Sequence, residues 1–163
     1  MARQILTLLV GLPGSGKSTY ARERGLPVVS SDDLRHLLLD DATDQTQNRR
    51  IFGLLRQVVR MRIELERPLT VLDATNLSTR ERRTWIKLAQ LYGAEVHAVF
   101  FDTPLEVCKQ RNRARSRNVP EDVIDMMAAR MRPPSIAEGF TEVMRIQPSN
   151  ARVFELPATA GPE

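Results

Sequence analysis

The sequence predicts a three-layer α/β domain built on a mostly parallel central sheet, and three observations carry that prediction. Apolar runs short enough to be strands alternate with segments whose apolar residues recur at helical spacing. The first run, 5–10, opens into a glycine-rich turn that leads straight into a helix start. Asp32 and Asp73 stand where apolar runs end, and the carboxyl ends of parallel strands are where ligands gather in such sheets.

Composition narrows the class. The chain has 163 residues, one domain's worth, with 42% hydrophobic and 27% charged residues. No apolar run approaches the roughly 20 residues of a membrane span. Residues 1–4 run directly into the first strand and leave no room for a signal peptide, so a cytoplasmic protein is expected. The single cysteine, Cys108, excludes an internal disulfide and a cysteine metal cage. Net charge is +4, and 21 of the 24 cations are arginine. Arginine suits phosphate because its planar fork donates two hydrogen bonds at once, although a GC-rich genome produces the same excess.

The strand over 5–10 feeds the segment GLPGSGKST at 11–19. Gly11, Gly16, Lys17 and Ser18 fit G-x-x-x-x-G-K-[ST], the phosphate-binding loop of P-loop NTPases, and Pro13, Gly14, Ser15 and Thr19 complete the loop. Its glycines let successive backbone N–H groups curl toward one centre and form an anion nest. Lys17 then reaches the β- and γ-phosphates, Ser18 offers its hydroxyl to Mg²⁺, and the next helix turns its positive end to the same phosphates. A nucleoside triphosphate, with ATP and Mg²⁺ as the pair, is the expected ligand.

A helix over 17–24 stops at Gly25, and 26–30 is a short strand. Asp32, Asp33 and Arg35 follow, at the carboxyl end of that strand and beside the phosphate loop. Either aspartate is available for chemistry or as a helix N-cap; Asp32 is the candidate for chemistry and Asp33 for the cap. Residues 36–47 are polar and poorly periodic, so a loop or broken helix is expected. Over 48–66, Ile51, Leu54, Leu55, Val58, Val59 and Leu65 mark a core-facing helix whose arginines at 49, 50, 56, 60 and 62 are expected to be a solvated face.

The next strand, 69–72, ends at Asp73, the Walker B position, where a carboxylate holds Mg²⁺ or its water; a loop-capping aspartate is the alternative. No second acid follows, which argues for transfer to an acceptor over a hydrolysing motor. Ser78 and Glu81 have capping-box spacing and open a helix, with Trp85 in the core, that stops at Gly93. A strand over 96–101 contains a structural His97. Thr103, Pro104 and Glu106 then read as N-cap, N1 and N3 of another helix.

That helix runs into five cations within 109–117. In P-loop kinases the corresponding segment is a lid that brings arginines to the transferring phosphoryl group. A solvated basic helix end accounts for some of the five; Arg111 and Arg115, at i and i+4, share one face and are the lid candidates. A helix over 120–131 precedes Pro133 and Pro134. A last strand is expected at 152–156, giving one domain over 1–156 and a flexible tail at 157–163.

Beyond the general pattern, the chain resembles the kinase domain of polynucleotide kinases, which phosphorylate 5′-hydroxyl ends. The similarity covers residues 5–146 and rests on the loop at 11–19, Asp32-Asp33-Leu34-Arg35, Asp73-Ala74-Thr75-Asn76, Arg111-Asn112 with Arg115, Val119-Pro120, and the run 132–140. The resemblance implies that Asp32 is the general base for the acceptor hydroxyl and that Arg35 holds the acceptor's phosphate. It implies Asp73 behind Mg²⁺ and its waters, and Arg115, assisted by Arg111, on the triphosphate. The acceptor it implies is a 5′-OH end of DNA or RNA. Ser31 stands where family members often carry arginine, and no phosphatase or ligase module is present in this sequence. A stand-alone metabolite or toxin-type kinase therefore remains an alternative, and a nucleotide-binding switch without an acceptor a weaker one.

Overall fold

A computed structural model describes residues 3–116 and 118–148. Five strands form one sheet: β1 (Ile5–Val10), β2 (Val28–Ser30), β3 (Leu69–Asp73), β4 (Glu95–Phe101) and β5 (Glu142–Ile146). Their spatial order is β2-β3-β1-β4-β5, and every neighbouring pair is parallel. Leu6, Leu8 and Val10 are fully buried on one face of β1 while Leu9 points to the other, so both faces of this central strand are covered. Three layers result, as the alternation of strands and helices requires.

One face is covered by α3 (Asn48–Glu64) and α4 (Thr79–Leu91), which bury Ile51, Leu55, Val59 and Ile63, and Trp85, Ile86 and Ala89, in the largest core cluster. The opposite face carries α1 (Lys17–Glu23), whose Tyr20 and Ala21 pack on Leu9, Val71, Val99 and Phe101. Over the carboxyl end of the sheet lie α5 (Leu105–Arg113) and α6 (Glu121–Arg130), seated through Leu12, Leu77 and Cys108 on the phosphate loop. The Ser78–Glu81 capping box that opens α4 is present with both reciprocal bonds. No helix among the described residues is long and apolar enough to cross a membrane.

Three local expectations change. First, α2 (Ser31–Leu39) is an unbroken helix that reaches four residues into 36–47, the segment expected as a loop or broken helix, and the rest of that segment is loop. Leu37 and Leu38 are exposed, so the apolar residues do not line up on one face and the periodicity is hidden. Second, neither aspartate caps α2; the Ser30 hydroxyl accepts from the Asp33 N–H at 3.3 Å, which puts Asp33 in the first turn. Third, Thr103 does not cap α5. Its hydroxyl instead donates to the Ser15 carbonyl at 2.9 Å and ties the β4–α5 turn to the phosphate loop. The fifth strand is β5, a stretch read without an element; the strand expected at 152–156 and the tail at 157–163 lie outside the described residues.

Candidate active site

The phosphate loop rises from the end of β1 and is braced from β3. Gly11 N–H donates to the Thr75 carbonyl at 3.1 Å, and the Asn76 amide donates to the Leu9 carbonyl at 2.9 Å. Gly14 has φ 81°, and a Cβ there would lie 2.5 Å from the Cys108 carbonyl oxygen, so loop and α5 approach more closely than any side chain allows. α1 starts at Gly16 with neither a side-chain cap nor an acid in its first turn, which leaves its amide end open to an anion. The Ser15 hydroxyl oxygen is buried and unpartnered in the same loop.

Lys17 is folded onto the loop, donating to the carbonyls of Gly11 and Leu12 at 2.8 and 2.9 Å. Burial lowers its pKa to about 8; Asp73 opposes that shift, and the neighbouring Arg115 adds to it. Ser18 donates its hydroxyl to Asp73 Oδ2 at 2.7 Å. The Asp73 carboxyl is pushed above its ordinary range by burial, against the pull of Lys17 and of the Ser18 hydrogen bond. A hydroxyl and a carboxylate fit Mg²⁺, which takes one or two protein oxygens and completes its shell with phosphate and water. Among the described residues no cluster of three or more His, Cys, Asp or Glu could hold a metal alone.

Two cavities flank the loop. One, of about 740 Å³, is walled by Ser18, Asp32, Asp33, Asp73 and Arg115 together with Leu26 and Val28. The other, of about 510 Å³, lies over Gly14, Gly16, Thr19, Tyr20, Arg24 and Arg111, against Phe101 and Gln147. Arg115 lines both and stands at their boundary. Chemically, one side has a carboxylate facing the phosphate centre and the other has an aromatic and arginine-lined slot. Arg24 stacks on the Tyr20 ring at 3.8 Å in that second cavity.

The cations at and just beyond the end of α5 divide into two sets, and Arg115 lies in the turn after the helix rather than on its face. Lys109 pairs with Asp125 at 2.7 Å and Arg113 with Glu121, both on α6. Arg111 reaches the Gly14 carbonyl at 3.4 Å, and Arg115 faces the cavities. Arg117 lies outside the described residues. Asn112, buried, bonds both the N–H and the C=O of Val119 at 2.9 and 2.7 Å, pinning the turn that carries Arg115.

Lys17, Ser18, Asp32, Asp73 and Arg115 therefore meet around one centre. Arg35 does not line either cavity. It is 5% exposed, with Nη1 on Asp32 Oδ1 at 2.9 Å and Nη2 on Asn48 Oδ1 at 2.8 Å, so it stands behind the carboxylate it was expected to accompany. Pro13 forms the loop without facing either cavity.

Sequence reasoning missed one element of the support. Arg82 is fully buried; Nε and Nη2 bind Glu138 at 2.9 and 3.1 Å, and Nη1 donates to the carbonyls of Asn76 and Leu77 at 2.9 and 3.0 Å. The pair fastens the segment after α6 to the turn that braces the phosphate loop. Its position was legible, since Arg82 shares an i, i+3, i+4, i+7 stripe with Trp85, Ile86 and Ala89, the apolar face of α4, but the acid that neutralises it was not.

Known proteins share this fold. A bifunctional polynucleotide phosphatase/kinase of Schizosaccharomyces pombe is 25% identical over 152 residues, covering 88% of this chain and 33% of its own length. A solved chain of the Pnkp1/Rnl/Hen1 RNA repair complex superposes with TM-score 0.70 and 27% identity, over 80% of this chain and 44% of that one. The APS kinase CysC of Mycobacterium tuberculosis, in complex with AMPPNP and APS, shares the fold at TM-score 0.56 and 21% identity, over 93% and 92% of the two chains. The chain spans a third of the curated relative and under half of the RNA-repair chain. A family described as AAA domain matches residues 6–134, from β1 and the phosphate loop to the prolines after α6, and the chain belongs to that family.

Proposed function

We propose that the protein is an ATP-dependent kinase that moves the γ-phosphoryl group to the 5′-hydroxyl end of DNA or RNA in the cytoplasm. The observation that carries the transfer reaction is the shared cavity: Asp32 faces the same space as Ser18, Asp73 and Arg115, across the phosphate loop from the second cavity. The likeness to the polynucleotide phosphatase/kinase and to the RNA-repair chain supports the choice of acceptor. The triphosphate lies along the loop with its nucleoside in the slot beside Tyr20 and Arg111, and the acceptor enters from the side of Asp32.

Phosphoryl transfer asks the protein for positioning and charge neutralisation more than for covalent chemistry. Asp32 takes the proton of the acceptor hydroxyl as its oxygen bonds to phosphorus, and ADP leaves as the bond to the β-phosphate bridge breaks. Lys17 leaves its loop carbonyls for the β- and γ-oxygens. Ser18 and Asp73 would hold Mg²⁺, which supplies charge neutralisation for the phosphate oxygens. Arg115 meets the charge that spreads over the equatorial oxygens in flight. Arg35 orients Asp32, and its packing supports that positioning role over direct contact with the acceptor.

Arg115→Ala is expected to lower kcat by 10²-fold or more with a smaller change in the KM for ATP, because its contact strengthens in the transition state. Arg113→Ala, whose partner is Glu121, should leave both constants near wild type. Steady-state kinetics on the two variants checks this; equal losses would mean a diffuse basic surface instead of a placed arginine.

The acceptor is tested by end-labelling with γ-labelled ATP. DNA and RNA oligonucleotides with 5′-OH ends and nucleoside 3′-monophosphates are compared with sugars, nucleosides and amino-sugar nucleotides. Labelling of oligonucleotide ends is the expected result. Labelling confined to a small metabolite, still dependent on Asp32, keeps the kinase and removes the nucleic-acid acceptor.

A further inference from the structure

The chain's positive charge is concentrated on one side. α3 and α4 together carry nine cations against two acids, one of the nine, Arg82, being buried on Glu138, while the whole chain has a net charge of only +4. Both acids are engaged: Glu64 with Arg60, and Glu81 with its capping box and Arg130. Six exposed cations, Arg49, Arg50, Arg56, Arg80, Arg83 and Lys87, have no carboxylate partner among the described residues. Asp41 and Asp44, in the loop before α3, turn their carboxylates onto Thr43 and Thr46.

Three details make this more than a solvated face. Arg49 and Arg50 sit in the first turn of α3, which has no acid and no side-chain cap, so they oppose the helix dipole. Arg49 and Arg56 stand on one stripe of the helix, about 10 Å apart along its axis. Between them Gly53 occupies the interior of a 17-residue helix, where glycine is a poor choice. A Cβ there would meet only the tip of Arg56, at 3.9 Å, so packing does not demand the glycine. Its bareness gives another backbone room to come close between two guanidiniums.

The placement gives the stripe a direction. Asn48, at the start of α3, holds Arg35, which holds Asp32; α4 begins a few residues past Asp73. Both helices pack side by side on one sheet face and start at the end of the sheet where the acceptor cavity lies.

We propose that the α3–α4 face is a nucleic-acid backbone site that carries the strand beyond its reacting 5′ end. This rests on the nucleic-acid reading of the acceptor. The recognition is of phosphates, so it is independent of sequence and falls with salt. A nucleoside 3′-monophosphate is too short to reach it; an oligonucleotide of about a dozen residues is not.

The test pairs binding with turnover, using wild type and two triple variants, Arg49→Ala/Arg50→Ala/Arg56→Ala and Arg80→Ala/Arg83→Ala/Lys87→Ala. Fluorescence anisotropy with a labelled 5′-OH dodecamer is measured from 50 to 200 mM salt, beside turnover of a nucleoside 3′-monophosphate. The α3 triple should weaken dodecamer binding at least tenfold and flatten the log–log salt slope by about 2. Its turnover of the mononucleotide and its KM for ATP should stay at wild type. Arginine-to-lysine replacement at the same three α3 positions should restore most of the binding, which a folding defect would not. Wild-type binding in both triples, or an equal loss on dodecamer and mononucleotide, overturns the proposal. Tight, variant-sensitive dodecamer binding without any end-labelling would instead leave this face standing and remove the acceptor reading.

Discussion

Asp32→Asn is expected to lower the transfer rate by on the order of 10²–10⁴ while ATP binds as before, the span usual for loss of a general base. Asp32 lines the cavity proposed for the acceptor, with its side chain 57% exposed, and Arg35 fixes one of its oxygens from behind. The amide keeps the shape and a hydrogen bond but cannot take the proton. Asp33→Asn should cost little. Its backbone N–H, not its carboxylate, serves the Ser30 cap, and the capping bond survives the change. Rates with saturating ATP and acceptor separate the two. A larger loss at Asp33 would move the base by one residue.

The neighbouring arginine sharpens the same experiment. If Arg35 works by aiming Asp32, Arg35→Ala lowers kcat along with Asp32→Asn and the two changes are far from additive. A clamp on the acceptor's phosphate would instead appear as a raised acceptor KM on an unchanged kcat. The resemblance implied the clamp, while the buried pairing with Asp32 and Asn48 supports aiming.

That contrast shows where the sequence was readable. The phosphate loop, the Ser78–Glu81 box, the β1, β3 and β4 runs and the aspartate at the end of β3 all announce themselves through local rules, and each is found where it was read. Arg111 and Arg115 were paired on the expectation of one helix face, but α5 ends at Arg113, so Arg115 reaches the cavities from the turn beyond the helix. What stayed hidden depends on partners distant in the chain. β5 is an edge strand with Glu142 and Arg145 exposed, so it lacks an apolar run; only its pairing with β4 makes it a strand. Arg82 is buried because Glu138, 56 residues away, neutralises it. Arg35 looks like any helix-surface arginine until Asn48 and Asp32 enclose it. Asp33 was expected to cap α2, but the helix begins earlier and Ser30, read as the end of the strand, caps it instead.

Lys17→Met should abolish detectable transfer, a loss on the order of 10³ or more, and at the same time make the ligand-free protein more stable. Lys17 is buried with its pKa lowered from 10.5 to about 8, chiefly by loss of hydration. Below pH 8 it is protonated in both the folded and the unfolded chain, and the folded chain bears the full cost of burying the charge. Between pH 8 and 10.5 the folded chain releases the proton while the unfolded chain keeps it, so that cost fades as pH rises. At pH 7 the shift corresponds to about 3 kcal/mol of destabilisation. The hydrogen bonds to the Gly11 and Leu12 carbonyls offset roughly 1 kcal/mol each. Methionine should therefore gain about 1–2 kcal/mol in a denaturant titration at pH 7, and the gain should vanish near pH 9, where the remaining burial cost equals what the two hydrogen bonds return. Triphosphate binding reverses the environment of Lys17 by placing anions on it. ATP should thus bind with proton uptake above pH 8 and lose affinity as pH climbs toward 10, which calorimetry in buffers of different ionisation enthalpy reads directly. A Lys17→Met protein that is less stable at pH 7, or ATP affinity flat from pH 7 to 10, would show that the buried lysine is held by its carbonyl partners and not poised for phosphate.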